Sequence, residues 1–238
     1  MTASSEVVYA LPSANPEQAH KHLPNWVRRG YRVIIGQDRV RFDPPPGVEV
    51  VVLGSSYAGY ARSVSLLISG AIPRDVPVVV FGGDDMDPDP VLTAQEIARQ
   101  YVERFPNLDG IMQPVGDPMD GTRRICGSPW VGREWLDNAN NGAGPFHLGY
   151  PHFYADEELF DVSSVTGKLW QREDLTHYHD HWTRRGARNE IHDLLQPTWD
   201  SSKALYQQRR AARFPGAIPP RLLPLADWSR LPRSLSAP

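Results

Sequence analysis

One stretch, residues 78–90, constrains the fold more than any other part of the chain. Its first four residues are apolar without polar alternation, which is typical of a buried, parallel strand. Two glycines follow, and then four aspartates within six positions. Crowded carboxylates repel one another unless a cation lies among them, and oxygen ligands suit Mg²⁺ or Mn²⁺. The pattern therefore predicts a cation site at the end of a strand, with an acidic surface loop as the alternative.

The same stretch has the acidic spacing of a calcium-binding EF-hand loop. Asp85, Asp87, Asp89 and Glu96 stand at relative positions 1, 3, 5 and 12. Relative position 6, where that loop needs glycine for its sharp turn, is Pro90. A strand rather than a helix is expected to precede the aspartates, so the sequence excludes an EF-hand.

The size and composition indicate a globular protein. A chain of 238 residues can bury the core of a full domain. No apolar run approaches the length of a membrane span, and the N-terminus lacks the pattern of a signal peptide, so we expect neither. Cys126 is the single cysteine, which excludes an internal disulfide and fits a reducing cytoplasm.

Charge is distributed unevenly along the chain. Residues 1–181 carry a net charge of −9, whereas residues 182–238 carry +6. An acidic body of this kind can host a metal ion, and a basic tail can meet phosphates. The equal alternative is that the tail packs against its own acidic body.

The order of predicted elements indicates an α/β sandwich around a mainly parallel sheet. Strands are expected at 6–11, 31–35, 48–53, 78–81 and 108–114. Helices are expected at 16–29, 59–70, 93–104 and from 156, with a further partly helical segment around 202–212. Residues 116–150 are rich in glycine, asparagine and proline, so we expect a long irregular segment there, which is usually functional or mobile.

Three histidines follow at alternate positions. His177, His179 and His181 would share one face of an extended segment. Neutral imidazole is a common metal ligand, so the spacing favours a role in binding a metal or a substrate. A structural role is the alternative.

Four places, in this order, carry a resemblance to a known family. They are residues 11–14 (Leu-Pro-Ser-Ala), residues 59–63 (Gly-Tyr-Ala-Arg-Ser), the pair Asp84-Asp85, and the runs 156–159 (Asp-Glu-Glu-Leu) and 174–177 (Asp-Leu-Thr-His). Over about residues 6–182 they resemble the glycosyltransferases of the A-type (GT-A) fold, similar to the large inverting family 2. The chain departs from that pattern at Gly83 and Ala155, where many relatives have acidic residues.

The resemblance implies a Rossmann-like GT-A sandwich over residues 1–196, followed by a basic C-terminal extension, residues 197–238. It implies a metal-dependent, inverting transferase that uses Mn²⁺ or Mg²⁺ and a UDP-sugar donor. By the same resemblance Asp156 is the catalytic base and Asp85 holds the metal, with a histidine from 177–181 as a further ligand. The donor-binding residues implied are Pro12, Ser13, Asp38, Arg62 and Asp84.

The acceptor is suggested by a second resemblance. Residues 127–134 and 153–182 resemble small bacteriophage glycosyltransferases, some of which modify hydroxymethylated pyrimidines in DNA. Double-stranded DNA containing 5-hydroxymethylcytosine is then the expected partner, in the host cytoplasm if the protein is phage-encoded. Candidate acceptor-binding residues are Trp130, Arg133, Trp182, Arg184 and Arg185. The tail arginines expected to meet phosphates also include Arg188, Arg209, Arg210 and Arg213.

Three alternatives remain open from the sequence. The first is the same transfer to a saccharide or lipid-linked acceptor. The second is a module that binds a nucleotide-sugar or DNA without turnover. The third is a nucleotidyltransferase, although residues 13–16 (Ser-Ala-Asn-Pro) do not form the glycine-rich and basic phosphate loop which that chemistry needs.

Overall fold

The computed structural model describes residues 6–119, 122–186 and 190–231. The strands are β1 (Val7–Pro12), β2 (Arg32–Gln37), β3 (Val48–Val52), β4 (Val78–Phe81), β5 (Met86–Asp87), β6 (Ile111–Pro114), β7 (Trp130–Gly132), β8 (Leu169–Arg172) and β9 (Tyr178–His179). The helices are α1 (Pro16–Arg28), α2 (Tyr60–Gly70), α3 (Ala94–Arg104), α4 (Arg133–Asn138), α5 (Ala155–Val165), α6 (Trp182–Arg185), α7 (Glu190–Leu195) and α8 (Trp199–Ala211).

Seven strands form one sheet in the order β3-β2-β1-β4-β7-β6-β8. Strand β7 runs antiparallel to β4 and β6, and the remaining pairs are parallel. The predicted Rossmann-like α/β sandwich around a mainly parallel sheet is confirmed, while its assignment to the GT-A type stays a prediction. The two remaining strands, β5 and β9, pair with each other as a separate antiparallel ribbon.

The sheet separates two apolar layers, because successive side chains of a strand point to opposite faces. On β1, Val8 and Ala10 join the layer that contains α2 and α5, whereas Val7, Tyr9 and Leu11 join the layer that contains α1 and α3. Strand β4 lies between β1 and β7 and is buried on both faces, which explains its unbroken apolar sequence.

Local signals in the sequence set the ends of the helices beside the sheet. The Asn15 side chain accepts a hydrogen bond from the Gln18 amide at the start of α1, and proline occupies the first helical position. Gly30 has a φ of 86°, the left-handed conformation that ends the helix. Thr93 and Glu96 form a capping box at the start of α3, so Glu96 has a structural role.

The expectation that residues 116–150 are irregular is wrong in its middle part. Strand β7 and helix α4 follow each other there without a linking residue. Gly132, the last residue of β7, packs closely against the backbone before β6. An added Cβ would stand 2.1 Å from the Leu108 carbonyl oxygen. Trp135 of α4 is fully buried and its indole donates to the Asp109 carbonyl. A strand of three residues carries too little periodicity to be recognised in the sequence.

The C-terminal segment packs against the domain. Phe214, Ala217, Ile218 and Leu222 are buried in the layer that contains α2 and α5. Arg209 of α8 makes a bidentate ion pair with Glu158 of α5, with both N–O distances 2.7 Å. These contacts favour the interpretation in which the tail meets its own acidic body, while the domain boundary at residue 197 stays a prediction. None of the helices in the described residues has the length and apolarity that crossing a membrane requires.

We expect Arg209→Ala to lower the free energy of unfolding by about 3–5 kcal/mol, because it leaves the Glu158 carboxylate buried without its cation. The control is Arg123→Ala, which removes an exposed ion pair with Glu173 and should change stability by less than about 0.5 kcal/mol. Urea denaturation of the two variants measures the difference. Equal stabilities would show that the ion pair does not hold α8 to the domain.

Candidate active-site cleft

A cleft of about 1110 Å³ opens where the carboxyl ends of β1 and β4 lie side by side. One wall is formed by residues from 12–21, 38–40 and 82–86. Residues from 125–127 and 152–157 also line the cleft, together with Trp199 of α8. The remaining lining residues are Tyr57, Tyr60, Met119, His179, His181 and Arg185. This is the edge of an open α/β sheet at which ligands are expected to bind.

Asp84 is held by the loop that follows β1. Its Oδ2 accepts a hydrogen bond from Ser13 Oγ at 2.7 Å and one from the Asn15 amide at 3.2 Å. Burial and the neighbouring charge of Asp85 raise the pKa of Asp84 to about 6, against the lowering effect of these hydrogen bonds. Asp84 therefore links the loop after β1 to the loop after β4 and keeps its proton at a higher pH than a free aspartate.

Asp85 faces two basic side chains. Its Oδ1 lies 3.2 Å from His179 Nε2, and its Oδ2 lies 3.6 Å from a guanidinium nitrogen of Arg185. Burial by itself would raise the pKa of Asp85, but the hydrogen bond and charge of His179, with the charge of Arg185, outweigh burial and lower it. Asp85 is thus the ionised member of the aspartate pair.

The ribbon of β5 and β9 is the reason that His179 lies at Asp85. Met86 of β5 pairs with His179 of β9, and the Asp180 amide donates to the Asp85 carbonyl at 2.8 Å. The His179 amide is bound by the Asp117 carboxylate at 3.0 Å. Backbone pairing therefore joins residues that are more than ninety positions apart in the sequence.

The described residues of the cleft offer few side-chain ligands for a metal ion. In residues 6–119, 122–186 and 190–231, no three His, Cys, Asp or Glu side chains lie together as a ligand group. Asp85 and His179 supply one carboxylate and one imidazole, both suitable for Mn²⁺ and similar ions. The protein side chains therefore fit a divalent ion only if the remaining ligands come from a bound phosphate or from water.

A second acidic pair, Asp156 and Glu157, lines the cleft at the start of α5. Burial and the neighbouring charge of Asp156, together with a hydrogen bond between the two side chains, raise the pKa of Glu157. Glu157 Oε2 is buried and has no hydrogen-bond partner. The site thus contains, next to Asp156, a carboxyl group that retains its proton near neutral pH.

Nine of the sequence-predicted site residues line this one cleft. They are Pro12, Ser13, Asp38, Asp84, Asp85, Asp156, His179, His181 and Arg185. Asp38 is buried, and its Oδ1 accepts from the Arg39 amide while its Oδ2 has no hydrogen-bond partner. The other metal and donor candidates lie elsewhere. His177 is buried with its ring edge-on to that of Trp26, the two ring centroids being 4.9 Å apart. Burial lowers the pKa of His177 to about 3. Arg62 lies on an exposed part of α2, with its Nε near the Leu148 carbonyl.

Four of the five acceptor-binding candidates are also outside the cleft lining. Trp130 is fully buried in the sheet, so it offers no surface to an acceptor. Arg133 donates to the carbonyls of Pro73 and Val76, which ties α4 to the loop before β4. Arg184 pairs with Asp117 and lies over the Tyr178 ring, and the Trp182 ring lies against His181 at 5.3 Å. Only Arg185 among them reaches the cleft.

Sequence reasoning missed several residues that line the cleft. Glu157 could have been found, because it stands in the acidic run at the start of α5. Lys21, Tyr57 and His152 carry no local signal of their place in the cleft. Trp199 comes from α8, beyond the expected end of the catalytic domain, and only tertiary packing brings it to the wall.

Comparison with known proteins leaves the family open. No family model and no curated protein matches the chain. Among solved structures the chain is similar to A197 from STIV (13% identity, TM-score 0.48), over 74% of this chain and 86% of that one. It is also similar to the Drosophila beta-1,4-galactosyltransferase 7 mutant in complex with manganese, UDP-Gal and xylobiose (13%, TM-score 0.45), over 78% and 75% of the two chains.

A third similar structure is described as a glucose-1-phosphate thymidylyltransferase from Bacillus anthracis in complex with sucrose. The identity is 11% and the TM-score 0.44, over 85% of this chain and 95% of that one. At such identities and TM-scores, similarity assigns neither a family nor a substrate to this chain.

Gly82, where β4 ends and the aspartates begin, has no room for a side chain. An added Cβ would lie 2.5 Å from the hydroxyl of Tyr9, which is fully buried, stacked on Trp26 and bonded to the Gly83 carbonyl at 2.7 Å. We expect Gly82→Ala to destabilise the protein by about 1–3 kcal/mol through overpacking. The measurement is the midpoint of urea unfolding.

The matched control is Gly70→Ala in the last turn of α2, where nothing lies within 4 Å of an added Cβ. It should leave stability unchanged or raise it by up to about 1 kcal/mol, since alanine favours helix. Equal effects of the two substitutions would show that Gly82 and Tyr9 can move apart to accommodate the added methyl group.

Proposed function

We propose that the chain is a glycosyltransferase that moves a sugar from a nucleotide-sugar to an acceptor hydroxyl. The observation that carries the proposal is the meeting of two acidic pairs, Asp84-Asp85 and Asp156-Glu157, in the lining of one cleft. One pair suits a cation and a diphosphate, and the other suits the removal of a proton. A binding module would not need both.

The donor is proposed to lie along the wall formed by the loops after β1, β2 and β4. Asp38 has a buried oxygen without a hydrogen-bond partner, which can accept from the base or ribose of a nucleotide. Asp85 and His179 would hold Mn²⁺ or Mg²⁺, which would neutralise charge on a leaving diphosphate. The resemblance in sequence supports UDP as the nucleotide.

Asp156 is proposed as the base of an inverting transfer, in which the acceptor oxygen attacks the sugar carbon as its proton passes to the carboxylate. Glu157, whose pKa is raised beside Asp156, would donate a hydrogen bond to Asp156 and so orient the base. Tyr154, the residue before α5, has a left-handed backbone (φ 70°), a conformation that is costly for a residue with a side chain. Strain of this kind fits a segment that places a reactive group.

The acceptor that we propose to test first is 5-hydroxymethylcytosine or a similar hydroxymethylpyrimidine in phage DNA, as the sequence resemblance suggests. Arg184, Arg209 and Arg210 make ion pairs with Asp117, Glu158 and Asp161, and Arg213 lies over Trp228. Arg188 lies outside the described residues. A contact limited to the base and its nearest phosphates therefore agrees better with the ion pairs than a broad contact through the tail. A saccharide acceptor is the competing outcome of the assay.

We expect Asp85→Asn to abolish the metal dependence of UDP binding, because the amide removes the ionised ligand. Isothermal titration with UDP, in Mn²⁺ and in EDTA, measures the dependence. The control is Asp75→Asn, an exposed aspartate outside the cleft, which should bind as the unmodified protein does. Retention of the full metal effect in Asp85→Asn would contradict the metal assignment.

We expect Asp156→Asn to bind UDP with unchanged affinity but to lose transfer by roughly 10²–10⁴-fold, the contribution typical of a positioned base. Nucleoside analysis after incubation with a UDP-sugar, Mn²⁺ and DNA containing 5-hydroxymethylcytosine measures product. A mixture of saccharide acceptors is assayed in parallel. Transfer only to saccharides would contradict the proposal that DNA is the acceptor. No transfer from any donor would contradict the proposed glycosyltransferase activity.

A further inference from the structure

Three aromatic rings form part of the cleft wall next to Asp156. Phe153 and Tyr154 immediately precede α5, and Trp199 begins α8. The centroid of the Trp199 ring lies 4.8 Å from that of Phe153 and 5.2 Å from that of Tyr154. We call this group of three residues the aromatic wall.

Trp199 is the most exposed tryptophan of the described residues. It is 39% exposed, whereas Trp26, Trp130 and Trp135 are fully buried. Aromatic surface facing a cleft is a contact area for a flat ligand, since rings stack or pack edge to face. The exposed ring therefore indicates a ligand rather than a defect of packing.

The cleft that holds the aromatic wall is large. Sites for one small molecule occupy about 300–1,000 Å³, and this cleft reaches about 1110 Å³. The residues proposed for the donor line the same cleft, and Phe153 and Tyr154 of the aromatic wall lie close in sequence to the proposed base. An acceptor bound there would have its hydroxyl group near Asp156.

Charge distinguishes between kinds of flat ligand. Lys203 lies four residues after Trp199, which places the two on the same face of α8. Lys203 makes no ion pair with the described residues, unlike Arg209 and Arg210 on the same helix. A ring with a cation one helical turn away suits a nucleobase with its phosphate better than an uncharged sugar.

We propose that the aromatic wall is an acceptor subsite on which a nucleobase stacks, with Lys203 contacting an adjoining phosphate. The inference rests on the proposed function, because it places the base that carries the acceptor hydroxyl beside Asp156. It assigns to Trp199 the contact with the acceptor for which the sequence offers Trp130 and Trp182. Sequence tolerance is expected, since every base has a π-face.

The test is fluorescence anisotropy with a labelled single-stranded oligonucleotide that contains one 5-hydroxymethylcytosine. Trp199→Ala should weaken binding about 10- to 100-fold, as loss of one stacking contact does. Trp199→Phe should retain most of the affinity. Lys203→Gln should reduce the slope of log affinity against log salt by about one.

The matched control is Trp228→Ala, a partly buried tryptophan that packs against Arg213 and does not line the cleft. It should bind the oligonucleotide as the unmodified protein does. Thermal unfolding and UDP titration of every variant show that the fold and the donor site are intact.

Affinity for the oligonucleotide that is unchanged in Trp199→Ala, or absent in the unmodified protein, would overturn the subsite. The subsite would also be overturned if binding of methyl glycosides, but not binding of the oligonucleotide, depended on Trp199. If UDP fails to bind while oligonucleotide binding still depends on Trp199, the proposed function fails and the stacking subsite stands.

Discussion

The parallel pairing of β1 with β4 is the constraint on which the cleft depends. Because the two strands are parallel neighbours at the centre of the sheet, their carboxyl ends, and the loops that follow them, emerge side by side. Ser13 and the Asn15 amide can then bind the Asp84 carboxylate. The unbroken apolar sequence of β4 is a consequence of this central position. Gly82 follows β4, packs closely against Tyr9 and leads into the segment that contains the aspartates.

Basic side chains from one short segment, residues 179–185, lie against the acidic residues at this edge of the sheet. His179 and Arg185 face Asp85, and Arg184 pairs with the buried Asp117. Lys21 of α1 adds an ion pair of 2.6 Å with Asp180. These pairs offset the repulsion of clustered carboxylates, so the cleft can exist before any ion or substrate enters it. They also hold the ribbon of β5 and β9 against α1, which places both proposed metal ligands.

The basic C-terminal part has a different meaning in the structure than in the sequence. Its arginines neutralise acidic residues of α5, and its apolar residues complete one layer of the core. A net charge of +6 in the tail is therefore largely a counterpart to the acidic body. What the segment adds to the cleft is Arg185 and the exposed ring of Trp199. The proposed specificity for an acceptor can therefore rest on contacts with these two side chains rather than on a broad basic surface.

The sequence by itself determined the α/β class and the main strands and helices, and it predicted Asp84, Asp85 and Asp156 as site residues, which line one cleft in the structure. These depend on short-range patterns: apolar runs, caps such as Asn15, and acidic residues at the ends of elements. Only the tertiary structure decided which histidine meets Asp85, since His177 enters the core while His179 is delivered by the pairing of β9 with β5. It also decided that Trp130 is buried and Trp199 exposed. Neighbours in the sequence do not report burial or contacts between distant elements, which arise only when the sheet and its helices pack together.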